Sequence, residues 1–171
     1  VTVEGGSIGP SVNDTIVLNR GWNFVSTPRR LSAGNDTAEI FLSVDMAGRP
    51  LYAYDAATET WLQMNPSSQV RPLQGYWVYA GQDASVPLSF NEDPLQAPPE
   101  TTLSRGWNAI GFSDTDPASA RDTLSSVGDA WTTLIGYDAG AGAYETSMIN
   151  GATGLHSDMG EMKPMQGYWL Y

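Results

Sequence analysis

Leu18-Asn19-Arg20-Gly21-Trp22-Asn23 returns as Leu103-Ser104-Arg105-Gly106-Trp107-Asn108, and Pro72-Leu73-Gln74-Gly75-Tyr76-Trp77-Val78-Tyr79 returns as Pro164-Met165-Gln166-Gly167-Tyr168-Trp169-Leu170-Tyr171. Two tryptophan-bearing motifs repeating in the same order make the chain a tandem pair of one module. The division is 1–92 for the first module with an N-terminal strand segment, 93–101 for a proline-rich linker, and 102–171 for the second module. Between the copies Gly21 and Gly106 lie 85 residues apart, Asp36 and Asp116 80, Tyr54 and Tyr137 83, and Gly75 and Gly167 92. The length differences fall between these anchors, where loops tolerate them: in 27–35 of the first copy and 138–164 of the second.

The anchors read as strands. Trp22 to Val25 and Trp107 to Ile110 each follow a glycine able to adopt a left-handed turn. Leu51 to Asp55 and Thr60 to Met64 form a hairpin around 56–59, and Thr132 to Asp138 with Ala143 to Met148 is its counterpart. In a strand over 76–79, Tyr76 and Val78 face one way and Trp77 and Tyr79 the other, as expected of a central strand covered on both sides. Thr15 to Leu18 and Val86 to Phe90 add strands to the first copy. Val1 to Glu4 is a strand-like segment set off by Gly5-Gly6, and no counterpart of Val86 to Phe90 follows Tyr168 to Tyr171. A donor segment and an open acceptor edge are thus expected together. One short helix interrupts each copy, capped by Asp36 with Glu39 in the first and by Asp116 before Pro117 in the second, with Ala120, Leu124 and Val127 on its apolar face. Pro94, Pro98 and Pro99 make the linker a semi-rigid spacer. The fold class is mainly β: two similar modules of antiparallel strands, sandwich- or barrel-like, each with one short α-helix.

Composition narrows the function. Of 171 residues, 19 are acidic and 8 basic, giving a net charge of −11, which disfavours binding to a nucleic-acid backbone. That balance suits a salty exterior or a GC-rich genome equally. No apolar run reaches the roughly 20 residues of a membrane span. The chain has no cysteine, so disulfides and thiol chemistry are absent. It opens at Val1, read as a processed or excised extracellular segment.

The repeated residues are the candidates for function: Gly21, Trp22, Asn23, Gly75, Tyr76 and Trp77, with Gly106, Trp107, Asn108, Gly167, Tyr168 and Trp169. Buried rings of this size make the interior-packing reading the leading one. The rival is a carbohydrate-binding module, which requires at least two of Trp22, Trp77, Trp107 and Trp169 in an exposed row. Arg20 and Arg105 are placed to stack on a ring or pair with Asp55 or Asp138, and Asn23 and Asn108 to bond a turn backbone. Asn13 and Asn35 head Asn-x-Thr sequons, read as glycosylation acceptors in an exported protein. Asp114, Asp116 and Asp122, and Asn91 to Asp93, carry oxygens suited to Ca²⁺ but lack the spacing of a calcium loop. His156, the sole histidine, has no triad or zinc-like partners in its pattern. The expectation is a non-enzyme with neither metal nor cofactor.

Gly-Trp-Asn at the module start, Tyr-Asp midway and Gly-Tyr-Trp-Val-Tyr near the end resemble the tandem Gly-Trp-Asn/Gly-Tyr-Trp modules of secreted archaeal and bacterial cell-surface proteins, S-layer-associated or adhesin-like. The resemblance spans Leu18 to Tyr171. It implies an extracellular structural or adhesive role, with partners that are further copies of the chain, other surface proteins or glycans. It supplies no catalytic residues. Modules of that family usually end on one more strand, which the second copy here does not provide. Head-to-tail assembly, with Val1 to Glu4 of one chain completing the open module of its neighbour, follows as an expectation.

Overall fold

A computed structural model of the chain describes residues 15–93, 95 and 97–171. Val1 to Glu4 and Asn13 lie outside the described residues. The first module opens with β1 (Thr15–Leu18) and β2 (Gly21–Val25). A 3₁₀ turn over Ala38–Phe41 leads to the hairpin β3 (Leu51–Asp55) and β4 (Thr60–Met64), then to β5 (Tyr76–Ala80) and β6 (Ala84–Pro87). Strands pair antiparallel in the order β2-β5-β3-β4, and β1 pairs with β6 in a separate two-stranded sheet. The two sheets close on a core of Ile16, Leu18, Phe41, Tyr76, Val78 and Val86, each at most 1% exposed. Alternation in β5 gives this directly: Tyr76, Val78 and Ala80 enter the core, while Trp77 and Tyr79 take the opposite face.

The second module repeats the plan with a shorter sheet. It contains β7 (Asn108–Ile110), β8 (Ala118–Ser119), a one-turn helix α1 (Ala120–Thr123), β9 (Thr133–Asp138), β10 (Ala143–Tyr144), β11 (Met148–Ile149), β12 (Glu161–Met162) and β13 (Tyr168–Leu170). β13 lies between β7 and β9 as β5 lies between β2 and β3. Its core gathers Phe112, Ala120, Leu134, Met162, Tyr168 and Leu170. Both modules are thus mainly β, antiparallel and sandwich-like, and neither closes into a barrel.

Several expected details differ. The second hairpin's return strand breaks in two: β10 pairs with the end of β9 and β11 with its start. Asp36 does not cap the first helical segment, which is 3₁₀ and is preceded by Thr37 with no side-chain cap bond. Asp36 gives its backbone carbonyl to Val70 N instead, at 2.8 Å. In the second module Asp116-Pro117 is not the cap either. Ala118 and Ser119 pair with Met162 and Glu161 in extended backbone, which pushes the helix start to Ser119, whose hydroxyl accepts from Asp122 N at 3.1 Å. Residues 100–103, the counterpart of β1, form no strand.

The long 138–164 loop is anchored by a group that sequence reading did not single out. The Asp158 carboxylate, 1% exposed, accepts from Arg121 Nε at 3.0 Å and Nη2 at 2.6 Å, and from Gly151 N at 2.9 Å. The Arg121 guanidinium holds this carboxyl below its ordinary 3.8. Its contribution is therefore present above that value and lost as pH falls below it.

Both Gly-Trp-Asn motifs make the same asparagine clasp. Gly21 (φ 110°) and Gly106 (φ 96°) sit where an L side chain is strained. Asn23 Oδ1 accepts from Asn19 N at 2.9 Å while its Nδ2 donates to the carbonyls of Asn19 (2.8 Å) and Gly21 (3.0 Å). Asn108 does the same with Ser104 and Gly106. Only an amide offers an acceptor and two donors at that point. Asn23→Ala therefore leaves part-buried backbone groups of Asn19 and Gly21 without their partner and is expected to lower stability by about 2 kcal/mol. Asn23→Asp, which keeps the acceptor but sets a carboxylate against two carbonyls, is expected to recover none of this in urea unfolding.

Candidate functional site

The repeated motifs converge on one place, the seam between the modules. Ser26 N donates to Met165 O at 2.9 Å and Gly167 N to Phe24 O at 2.9 Å. Gly111 N donates to Leu73 O at 2.8 Å and Gly75 N to Ala109 O at 3.0 Å. The second pair is the first with the modules exchanged, so the seam has the reciprocity of a twofold dimer contact within a single chain. Bridges Val25 with Gln166 and Gln74 with Ile110 obey the same exchange. Direct backbone pairing, rather than the proline-rich spacer, sets how the modules sit.

Aromatic side chains follow the same rule. Trp77 meets the partner module's Tyr137 at 4.8 Å between ring centroids and Tyr144 at 6.4 Å, both edge to face. Trp169 meets Tyr54 at 5.1 Å and Trp61 at 5.7 Å in the same manner. Within each hairpin the ring pair is equivalent: Tyr54 with Trp61 at 5.3 Å, Tyr137 with Tyr144 at 5.4 Å. Trp77 Nε1 is buried with no hydrogen-bond partner among the described residues, so ring packing alone holds its indole. Trp61 and Tyr144 were legible only as a shared seven-residue spacing after Tyr54 and Tyr137, a pattern that gains meaning once the seam is seen.

The repeated pairs therefore divide by role. Tyr76 and Tyr168 belong to the module interiors, at 1% and 0% exposure. Their hydroxyls accept from the backbone of the turn five residues earlier, Arg71 N at 2.7 Å and Lys163 N at 2.6 Å. Trp77 and Trp169 face the other module instead of a core. Trp22 packs edge-on against Tyr79 at 5.4 Å, and Trp107 against Tyr171 at 5.1 Å. Trp107 is 39% exposed, and its ring stands 63° from Tyr171, so these two present no flat platform. Arg20 and Arg105 are exposed and neither pair with Asp55 or Asp138 nor stack on a ring among the described residues. Arg49 over Tyr79 (3.9 Å) and Arg29 over Phe90 (4.5 Å) make the cation–π contacts. Asp55 and Asp138 accept instead from hairpin-tip amides, Ala57 N and Ala141 N.

Two clefts flank the seam and repeat each other. One, of about 840 Å³, lies between 100–104 with Ala109 of the second module and Tyr54, Asp55, Leu62, Arg71 and Gln74 of the first. The other, of about 500 Å³, lies between Thr15–Val17 with Phe24 of the first module and Tyr137, Asp138, Glu145, Lys163 and Gln166 of the second. The two differ in how their polar side chains are paired. In the smaller cleft Glu145 pairs with Lys163 Nζ at 2.7 Å and accepts from Gln166 Nε2 at 3.0 Å. In the larger, Leu62 stands in the place of Glu145, and Arg71, in the place of Lys163, has no ion pair among the described residues. Gln74 turns to accept from the Tyr76 hydroxyl at 3.2 Å.

The remaining sequence candidates stay apart. Asn35 is exposed, its amide donating to Ser32 Oγ at 3.2 Å. Asp114 and Asp93 oxygens are taken by loop amides and Asp122 by Ser119, and no group of three metal-ligating side chains forms among the described residues. His156 Nδ1 lies 3.1 Å from Ser147 Oγ and 2.9 Å from Ser147 O on an exposed turn. No helix among the described residues is long and apolar enough to cross a membrane. Comparisons with protein-family models, with curated proteins and with solved structures gave no match.

Burial pushes the Tyr76 phenol up to about 12 and the Tyr168 phenol up as well. A phenol raised above its ordinary 10.0 contributes in full below that pH and loses its contribution as pH climbs toward 12. Urea midpoints are expected to fall across that window, and Tyr76→Phe with Tyr168→Phe together to flatten the fall while lowering the plateau. A slope unchanged in the double variant would locate the alkaline loss elsewhere.

Proposed function

We propose that this chain is a non-enzymatic structural or adhesive component of an extracellular surface, whose two modules act as one preassembled block. The observation that carries this reading is where the aromatic residues are spent. Trp77, Trp169, Tyr54 and Tyr137, which a binding module would present to a ligand, are engaged with one another across the seam. Each aromatic ring packed in this way removes roughly 150–250 Å² from water, a term large enough to hold two small modules in register. Tyr76 and Tyr168, whose phenols burial raises, bond turn backbone, and the lowered Asp158 carboxyl is held in an internal ion pair, which leaves these groups engaged in structure. An acidic, cysteine-free chain with repeated modules is in keeping with such a role.

Head-to-tail growth by strand addition belongs to this proposal. In the first module β6 covers β1, whereas residues 100–103 at the equivalent place have no strand partner among the described residues. The strand-like segment Val1 to Glu4 of a neighbouring chain is the proposed occupant. Filaments or sheets seen by electron microscopy at high protein concentration are expected to disappear when residues 1–6 are deleted. Polymers that persist unchanged would remove the strand-addition part of the proposal.

A second reading, carbohydrate binding, is favoured by the larger cleft. Arg30, Asp36, Gln69 and Arg71 give it several hydrogen-bonding side chains, part of the lining that a sugar requires. Leu62→Glu would supply Arg71 with the partner that Lys163 already has, at an exposed site where such a pair contributes only about 0.5 kcal/mol. Binding on a glycan array that Leu62→Glu abolishes, with the circular dichroism spectrum intact, is the result expected of this reading. An array that stays blank for the unaltered chain would dismiss it.

A further inference from the structure

The exchange that relates the two modules carries residue 24 onto residue 109, because Phe24 O and Ala109 O receive the equivalent bonds from Gly167 N and Gly75 N. The two side chains are nevertheless unequal, a phenyl ring against a methyl group. The ring lies across both glycines at once: a Cβ on Gly75 would come within 2.6 Å of Phe24 Cε2, and one on Gly167 within 2.5 Å of Phe24 Cδ2. It stacks on Trp77 at 4.7 Å and 10°, and leans on Trp169 at 5.4 Å and 39°. Phe24 is 3% exposed and Ala109 9%. A single ring thus fills the space over both Gly-Tyr-Trp turns.

We propose that positions 24 and 109 form a pairing key, in which a module carrying Phe there accepts as partner only a module carrying a small residue there. The physical reason is symmetry. A ring at 109, placed by the same exchange, would have to cover the same Gly167 and Gly75 that Phe24 already covers, and close-packed interiors do not admit two rings in the space of one. Two small residues would instead leave a void between Trp77 and Trp169. A first-type module is therefore mismatched with a copy of itself and matched with a second-type module, whether that module is joined to it in the same chain or belongs to another. This selection rests on the seam alone and holds whatever the chain attaches to outside the cell. It makes the block a closed pair of unlike modules and prevents identical modules from associating indiscriminately.

The test uses the full chain and four proteins: unaltered, Phe24→Ala, Ala109→Phe, and the double variant. Phe24→Ala is expected to lower the urea midpoint by roughly 1–2 M, as loss of a buried phenyl does. Ala109→Phe is expected to lower the midpoint of the unaltered chain but to raise that of the Phe24→Ala chain, because the ring is then restored from the other side of the axis. The reversal of sign is the signature. The volume-conserving pair Phe24→Val and Ala109→Val reports the same reversal if the single Ala109→Phe chain fails to fold. Overturning the proposal requires only that the substitution at 109 lower the midpoint in both backgrounds, which would make the two sites independent.

Discussion

Four backbone hydrogen bonds, exchanged reciprocally between Phe24–Ser26 and Met165–Gly167 and between Ala109–Gly111 and Leu73–Gly75, are the constraint on which the rest of this structure depends. They bring the end of one module's first sheet strand against the Gly-Tyr-Trp turn of the other. The approach is so close that side chains at Gly75, Gly167 and Gly111 would meet atoms at 2.5–2.6 Å. The turn glycine is thus fixed by what lies across the seam as much as by its own strand. The residues two before it, Leu73 (φ 59°) and Met165 (φ 61°), hold left-handed backbone without being glycine, at a cost of about 1–2 kcal/mol each. In return their carbonyls receive Gly111 N and Ser26 N, and their side chains remain available for packing. Matched outliers at matched places indicate a strain maintained by the pairing of the modules.

The Gly-Tyr-Trp motif compresses two tasks into adjacent residues of one strand. Tyrosine goes inward, where its hydroxyl ties down the preceding turn, and tryptophan goes outward, where it docks the other module. Strand alternation makes the division automatic. It follows that folding of each module and joining of the two are coupled: the turn that Tyr76 secures through Arg71 N is the turn whose Leu73 and Gly75 bond the second module. A chain of this construction has little reason to behave as two beads on a string.

Departures from symmetry are as informative as the symmetry. Phe24 against Ala109 gives the seam one ring where two would not fit. Glu145, Lys163 and Gln166 bond to one another in one flanking cleft, and Leu62, in the place of Glu145, removes that network from the other. The 138–164 loop, longer than its counterpart, is disciplined by the buried carboxylate of Asp158. Each substitution separates the copies in a respect that matters to association, so the duplicated modules are no longer interchangeable.

Much of the local plan was legible in the residues themselves. The repeat marks two modules, β-branched and aromatic alternation marks the strands, and Asn after Gly-Trp marks a turn clasp, because these depend on spacing and on donor and acceptor counts within one module. Helices do not start at Asp36 or Asp116, because extended pairing to residues far along the chain overrides capping propensity there. The destination of Trp77 and Trp169 was not legible either. Alternation states that a tryptophan leaves its own core, but what it meets depends on where another module lies, and that is settled by hydrogen bonds, two between residues 34 and 38 positions apart and two between residues 139 and 143 apart, in groups that every residue carries. Sequence alone therefore determined the module, and tertiary structure decided the pair, since backbone amides and carbonyls carry no residue-specific signal until folding brings them face to face.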